Sequence, residues 1–122
     1  MTPIAPLIEA FFTERLMGHL NASPNTIMAY RDTFKLLLGF AKIKLKKTPT
    51  QLFLKDLSST FVNEFLLYLE KTRKNSIRTA NARLAAIHSF FKYLEFKKPQ
   101  DLGQIQQVLS ICYTQHYRPR FC

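Results

Sequence analysis

An all-α fold, a small bundle of four to five helices, is what this 122-residue sequence predicts, and three features carry the expectation. Glycine occurs only 3 times. Apolar residues recur three and four positions apart over long stretches, the spacing of a helix face rather than the alternation of a half-buried strand. Two of those stretches open on a serine, Ser23 and Ser76, a residue whose side-chain oxygen accepts from backbone N–H groups that the first helical turn leaves unpaired. With 47% apolar and 21% charged residues, the chain has the size and balance of one globular domain. Folding at this length hides roughly 60–70% of the surface that the unfolded chain exposes, so no disulfide or metal is needed to hold the core.

The first helix spans residues 4–19, with Leu7, Ile8, Phe11, Phe12 and Leu16 on one stripe and Glu9, Glu14 and Arg15 elsewhere. Residues 21–23 make a turn. Ser23 then reads as an N-cap and Pro24 as the first helical residue, where a missing N–H costs nothing. The second helix has Ile27, Tyr30, Phe34, Leu37, Leu38 and Ala41 on its core face, and Arg31, Lys35 and Lys42 along one flank. Residues 42–49 hold Lys42, Lys44, Lys46 and Lys47 with no acid, and Pro49 argues against helix, which makes a basic connector. Cap residues at 56–59 precede Phe61, Val62, Phe65, Leu66 and Leu69, a third helix ending near Lys71. Lys71, Arg73 and Lys74 form a second basic connector. Ser76 caps a fourth helix that runs to about Phe96, with Ala80, Leu84, Ile87, Phe91 and Leu94 inward. Pro99 breaks it, and Leu102, Ile105, Val108 and Leu109 suit a short fifth helix over 101–110. Beyond Ile111 the pattern fails. The expected organisation is a helical domain over 1–111 and a tail over 112–122, either disordered or a truncated linker, with no internal repeat.

Charge narrows the partners. The 18 Lys and Arg against 8 Asp and Glu leave a net +10 and a pI near 9.9, a field that draws in polyanions. Nucleic acid is the first partner to consider. A basic helix lying on a membrane fits less well, because the cations are spread over several segments. Both cysteines, Cys112 and Cys122, fall in the last eleven residues, so no disulfide framework holds the body of the domain, and a reducing, cytoplasmic setting is expected. The N-terminus has no basic stretch before an apolar one, and no apolar run approaches the roughly 20 residues of a bilayer span. Cys112, His116 and Cys122 are ligand types, but their spacing matches no strong zinc pattern, and neither metal nor cofactor is expected.

On the fourth helix the side opposite Leu84 and Ile87 carries Arg78, Asn81, Ala85, His88, Ser89 and Lys92, with Ala82 and Ala86 beside it. Small side chains let a helix backbone approach a surface while Arg, Asn and Lys reach past them, and Arg suits guanine as Asn suits adenine in a major groove. A solvated outer face has the same periodicity, so this feature alone leaves both readings open. The clustering of cations on the second helix's flank and in both connectors shifts the balance toward a polyanion, provided that these groups converge on one side.

The run Ser23-Pro24-Asn25-Thr26, then Tyr30, Phe34, Leu37 and Phe40, resembles the start of the core-binding domain of phage integrases and other tyrosine recombinases. A second block, Ser76, Thr79, Asn81, Arg83, Leu84, Ile87, Phe90, Phe91, Tyr93 and Leu94, is similar to that family's later signature. The resemblance covers about residues 4–110. It implies a SAM-like bundle that clamps one face of a recombination site while a separate catalytic domain takes the other, with double-stranded DNA, that catalytic domain and other recombinase protomers as partners. By position it implies DNA contacts at Asn25, Thr26, Arg31 and Lys35 and at Arg78, Thr79, Asn81, His88 and Lys92. His88 departs from the arginine common in relatives, and a neutral imidazole there gives up a fixed charge.

Catalysis in such recombinases uses a tyrosine nucleophile with arginines, a lysine and histidines from the following domain. None of His19, His88 or His116 is followed three residues on by arginine, as the family's His-x-x-Arg requires. No catalytic residue is assigned, and Tyr30 and Tyr93 read as core aromatics with a hydroxyl at the rim. Thr26 can serve as a cap or as a phosphate contact, and Arg83 lies near the apolar edge of its helix, where its stem covers core. The competing function is a helical interaction module that binds an acidic protein partner.

Overall fold

A computed structural model describes residues 2–113 of the chain. The architecture is all-α, as the spacing predicts. Where the sequence treats 1–111 as one helical domain, the residues group into two compact units that divide between Asp56 and Leu57. The proposed tail lies largely outside the described residues.

The first unit begins with α1 (Ile4–Ala10), which continues without a break into a π-helical segment, Phe11–His19. A single α-helix over 4–19 is therefore corrected. In π geometry hydrogen bonds run from residue i to i+5, so residues five apart lie closer to one face than the roughly 140° that separates them in an α-helix. Phe11 and Leu16, five apart, are both buried, whereas Phe12 is half-buried. A Cβ at Gly18 would stand 3.3 Å from the Thr13 carbonyl oxygen, and glycine lets the wide turn close there. The long α2 (Pro24–Leu45) buries Thr33, Phe34, Leu37, Phe40 and Ala41. Phe11 stacks on Tyr30 at 6.4 Å between ring centroids and meets Phe34 edge-on at 6.1 Å, so the aromatic residues of the two segments form the unit's centre.

Helix α2 runs into what the sequence reads as connector, and the chain leaves it through Lys46 in a left-handed conformation (φ 60°). The loop that follows closes on the N-terminus: the Ile4 amide donates to the Leu52 carbonyl at 3.0 Å, and the Leu54 amide to the Thr2 carbonyl at 2.7 Å. Asp56 ties the loop. Its carboxylate accepts from the Lys47 ammonium at 3.0 Å and from the Phe53 amide at 2.9 Å. Burial pulls the Asp56 carboxyl upward, but the Phe53 amide and Lys47 outweigh it and hold the group below its ordinary value.

The second unit contains α3 (Ser59–Lys71), α4 (Ile77–Lys97) and α5 (Leu102–Leu109). Phe61, Val62, Phe65, Leu66 and Leu69 of α3 are buried, as are Leu84, Ile87, Phe90, Phe91 and Leu94 of α4. Phe90 and Phe91 meet edge to face at 5.6 Å. Pro99 ends α4 as expected and opens a single 3₁₀ turn into α5, whose Gln104 side-chain amide donates to the Leu57 carbonyl at 3.1 Å and fixes α5 to the start of α3.

Both long helices are entered through the same junction. The Ala22 amide reaches back six residues to the Leu16 carbonyl, and the Asn75 amide six residues to the Leu69 carbonyl, one residue wider than the usual closure of a helix end around a left-handed residue. Asn21 (φ 47°) and Lys74 (φ 57°) supply that turn. Two residues later comes the serine cap: Ser23 Oγ accepts from the Thr26 amide at 3.2 Å, and Ser76 Oγ from the Thr79 amide at 3.1 Å. In each case the serine hydroxyl also lies within hydrogen-bond reach of the threonine hydroxyl. The absence of a sequence repeat thus conceals a local device used twice. Ser76→Ala is expected to destabilise the fold by about 1 kcal/mol, read as a lower urea midpoint at unchanged slope, because it strands the Thr79 amide.

Candidate nucleic-acid interface

On α2, Arg31, Lys35 and Lys42 are exposed and fall within about 40° of one another around the helix axis, so the cationic flank exists as a row. Arg31 and Lys35 also edge an apolar groove lined by Phe12, Phe34 and Leu38, with a volume of about 360 Å³. Asn25 is exposed in the first turn, roughly 80–120° around from that row. Thr26 lies on the opposite side of the cylinder and is half-buried, with its amide and hydroxyl engaged by Ser23. Its geometry is that of a cap. Within the first connector, Lys47 is held by Asp56 and packs 5.8 Å from the Phe53 ring centroid, which takes it out of the group of cations presented to solvent.

On α4, Arg78 and Lys92 are exposed and again about 40° apart in projection, separated along the axis by about 21 Å. Ala82, Ala85 and Ser89 fill the strip between them, with half-buried Asn81 at its edge. Ala86, read as lying beside this face, is fully buried. Thr79 is exposed but serves the Ser76 cap. Arg83 is half-buried and Tyr93 buried, and the Lys97 ammonium lies 5.7 Å from the Tyr93 ring centroid.

His88 lies at the margin of the strip, about 80° around the axis from Arg78, and is half-buried. Its ring packs edge-on against Tyr113 at 5.5 Å, Nδ1 is 3.4 Å from the Tyr113 hydroxyl, and Nε2 is shut off from solvent. Burial first, and then the charge of Lys92, push the imidazole below its ordinary value, while the Val108 and Ile111 carbonyls pull the other way. The folded chain therefore binds this proton less readily than the unfolded one. The stability that this provides is complete above the ordinary imidazole range near pH 6.5 and is lost as pH falls through that range toward the lower folded-state value. Thermal melts should show a lower Tm at pH 5.5 than at pH 7.5. His88→Gln should reduce that difference, and an unchanged difference would refute the burial account.

The sequence reading missed Phe96, which extends the α4 strip and is 76% exposed. It lies eighteen residues after Arg78, five full turns of helix, so the register was available in the sequence. Among the described residues no helix is long and apolar enough to cross a membrane, and no group of three or more His, Cys, Asp or Glu is placed to hold a metal ion. Of the three ligand types noted in the tail, His116 and Cys122 fall outside the described residues.

The arrangement therefore offers one exposed cationic row on the long helix of each unit. Comparison with known proteins agrees with the two blocks read from the sequence. Two relatives from Sinorhizobium fredii (strain NBRC 101917 / NGR234), both named "Putative integrase/recombinase", y4rC and y4rD, are 47% and 44% identical over 108 residues, 88% of this chain. That stretch covers 32% and 38% of their own lengths, so the chain spans about a third of the curated relatives it matches. No solved structure matches it significantly. The family description "Phage integrase, N-terminal SAM-like domain" matches residues 8–98, from α1 through the end of α4, and the chain belongs to that family.

Proposed function

We propose that this chain is a DNA-binding module of an integrase-like site-specific recombinase, holding duplex DNA for recombination or integration while the chemistry is done by the recombinase's catalytic domain. The observation that supports this reading best is the pair of exposed rows, Arg31, Lys35 and Lys42 on α2 and Arg78 and Lys92 on α4, in a chain of net charge +10. Phosphates along a duplex are spaced to meet such rows, and contacts of this kind position a protein without reading sequence. Asn25 and Asn81 stand beside the rows as candidates for base contact. Thr26 and Thr79 are assigned to the caps. The catalytic domain of the full-length recombinase and neighbouring protomers on the same DNA are the protein partners, in the cytoplasm where that DNA lies.

Titration of the 122-residue chain with a fluorescent duplex at two salt concentrations tests the proposal. Five phosphate contacts give a log–log slope near −4.5, roughly a 500-fold loss of affinity between 50 and 200 mM salt. Binding that is absent, or insensitive to salt, would leave the interaction-module reading, with an acidic partner seated on the same helices.

A further inference from the structure

We propose that Phe96 is a base-reading residue, contacting the 5-methyl group of thymine in the major groove; the inference rests on the DNA-binding reading above. Phe96 is the most exposed of the large apolar side chains among the described residues, ahead of Ile43 at 65%. A phenylalanine held in water forgoes the stabilisation that burial supplies elsewhere in this core, so its placement favours any partner that covers it. Its surroundings restrict that partner. Lys92 precedes it by one turn on the same side, Arg78 shares its angular position, and Lys97 and Lys98 follow it directly. The one acid on α4, Glu95, is half-buried and turned about 100° away.

The occupant must therefore be strongly anionic and still offer an apolar spot within reach of an aromatic ring. Duplex DNA does both. Its phosphates meet the cations, and the thymine methyl is the apolar group exposed on the major-groove floor. An anionic membrane also combines charge with apolar material, but a helix lying in a bilayer surface needs a continuous apolar face. Here the strip leading to Phe96 is Arg78, Asn81, Ala82, Ala85, Ser89 and Lys92. A ring at one end of a polar strip suits a single contact in a groove.

The test is selection of duplexes from a random pool by the full chain, by Phe96→Ala and by Lys92→Ala. The full chain should enrich an A·T pair at one position, and Phe96→Ala should lose that preference while Lys92→Ala weakens all sequences alike. Replacing the selected thymine by deoxyuridine removes the methyl alone. It should weaken binding of the full chain about three- to tenfold, leave Phe96→Ala unaffected, and act in full on Phe96→Leu, which retains an apolar side chain. Because Phe96 is exposed, circular dichroism of Phe96→Ala should match that of the parent. The proposal is overturned if Phe96→Ala selects the same site with the same deoxyuridine penalty, if it weakens all sequences equally, or if its loss instead abolishes recruitment to phosphatidylserine vesicles. A chain that binds no duplex at all would remove the DNA reading with it, whereas salt-dependent binding from a pool that stays random would remove only the role of Phe96.

Discussion

Reversing two charges together, Arg78→Glu with Lys92→Glu, is expected to raise the Kd for duplex DNA more than about 100-fold at 100 mM salt. Each phosphate contact contributes about 0.9 to the log–log salt slope, which at 0.1 M corresponds to roughly tenfold in affinity, and the two introduced carboxylates add repulsion. The slope should become shallower by about 1.8, and the neutral double variant Arg78→Gln with Lys92→Gln should fall between the two. Both side chains are exposed, so stability should move by no more than about 0.5 kcal/mol. That separation matters, because a loss of binding accompanied by unfolding would say nothing about the surface. Unchanged affinity in a folded double variant would show that α4 does not face the DNA. The matching pair on α2, Arg31→Glu with Lys35→Glu, probes the other unit in the same assay without any assumption about how the units are arranged.

The parts of the molecule that follow from local rules were readable in the sequence. Ser23 and Ser76 fix where α2 and α4 begin, and the inward positions read on α4 from Ala80 to Leu94 are all buried, whereas on α2 Phe34, Leu37 and Ala41 are buried as read but Phe40 takes the place expected of Leu38, which is half-buried. Arg31, Lys35, Arg78 and Lys92 are exposed because a helix that buries one stripe must present the other. What could not be read depends on residues distant in the chain. Lys47 looks like one more free cation in a basic run until the loop that returns to the N-terminus brings Asp56 to it. His88 sits at the edge of a polar face by periodicity, and it takes Val108, Ile111 and Tyr113, twenty or more residues on, to explain why its ring is covered. The π-helical segment is hidden for a different reason: Phe11, Phe12 and Leu16 satisfy a 3.6-residue pattern well enough that the sequence gives no cue to the wider turn.

That wider turn makes a second large effect predictable. Phe11→Ala should destabilise the fold by about 3–5 kcal/mol, a large share of the 5–15 kcal/mol typical of a domain, with the urea midpoint lowered by about 2 M for a slope near 2 kcal/mol/M. Phe11 is fully buried, and its ring touches those of Phe12, Tyr30 and Phe34, so truncation leaves a cavity bounded by rings that cannot all collapse inward. Phe11→Leu refills most of that volume and should cost less than half as much. Phe12→Ala separates the two helical geometries. In an α-helix the paired phenylalanines would share one apolar stripe and cost similar amounts, whereas in the π segment Phe12 is only half-buried and should cost about half as much as Phe11. Equal losses at the two positions would argue for a regular α-helix through residue 19. At temperatures where the Phe11→Ala chain remains folded, its salt slope for DNA should equal that of the parent, since the ring supports the unit from within and meets no phosphate.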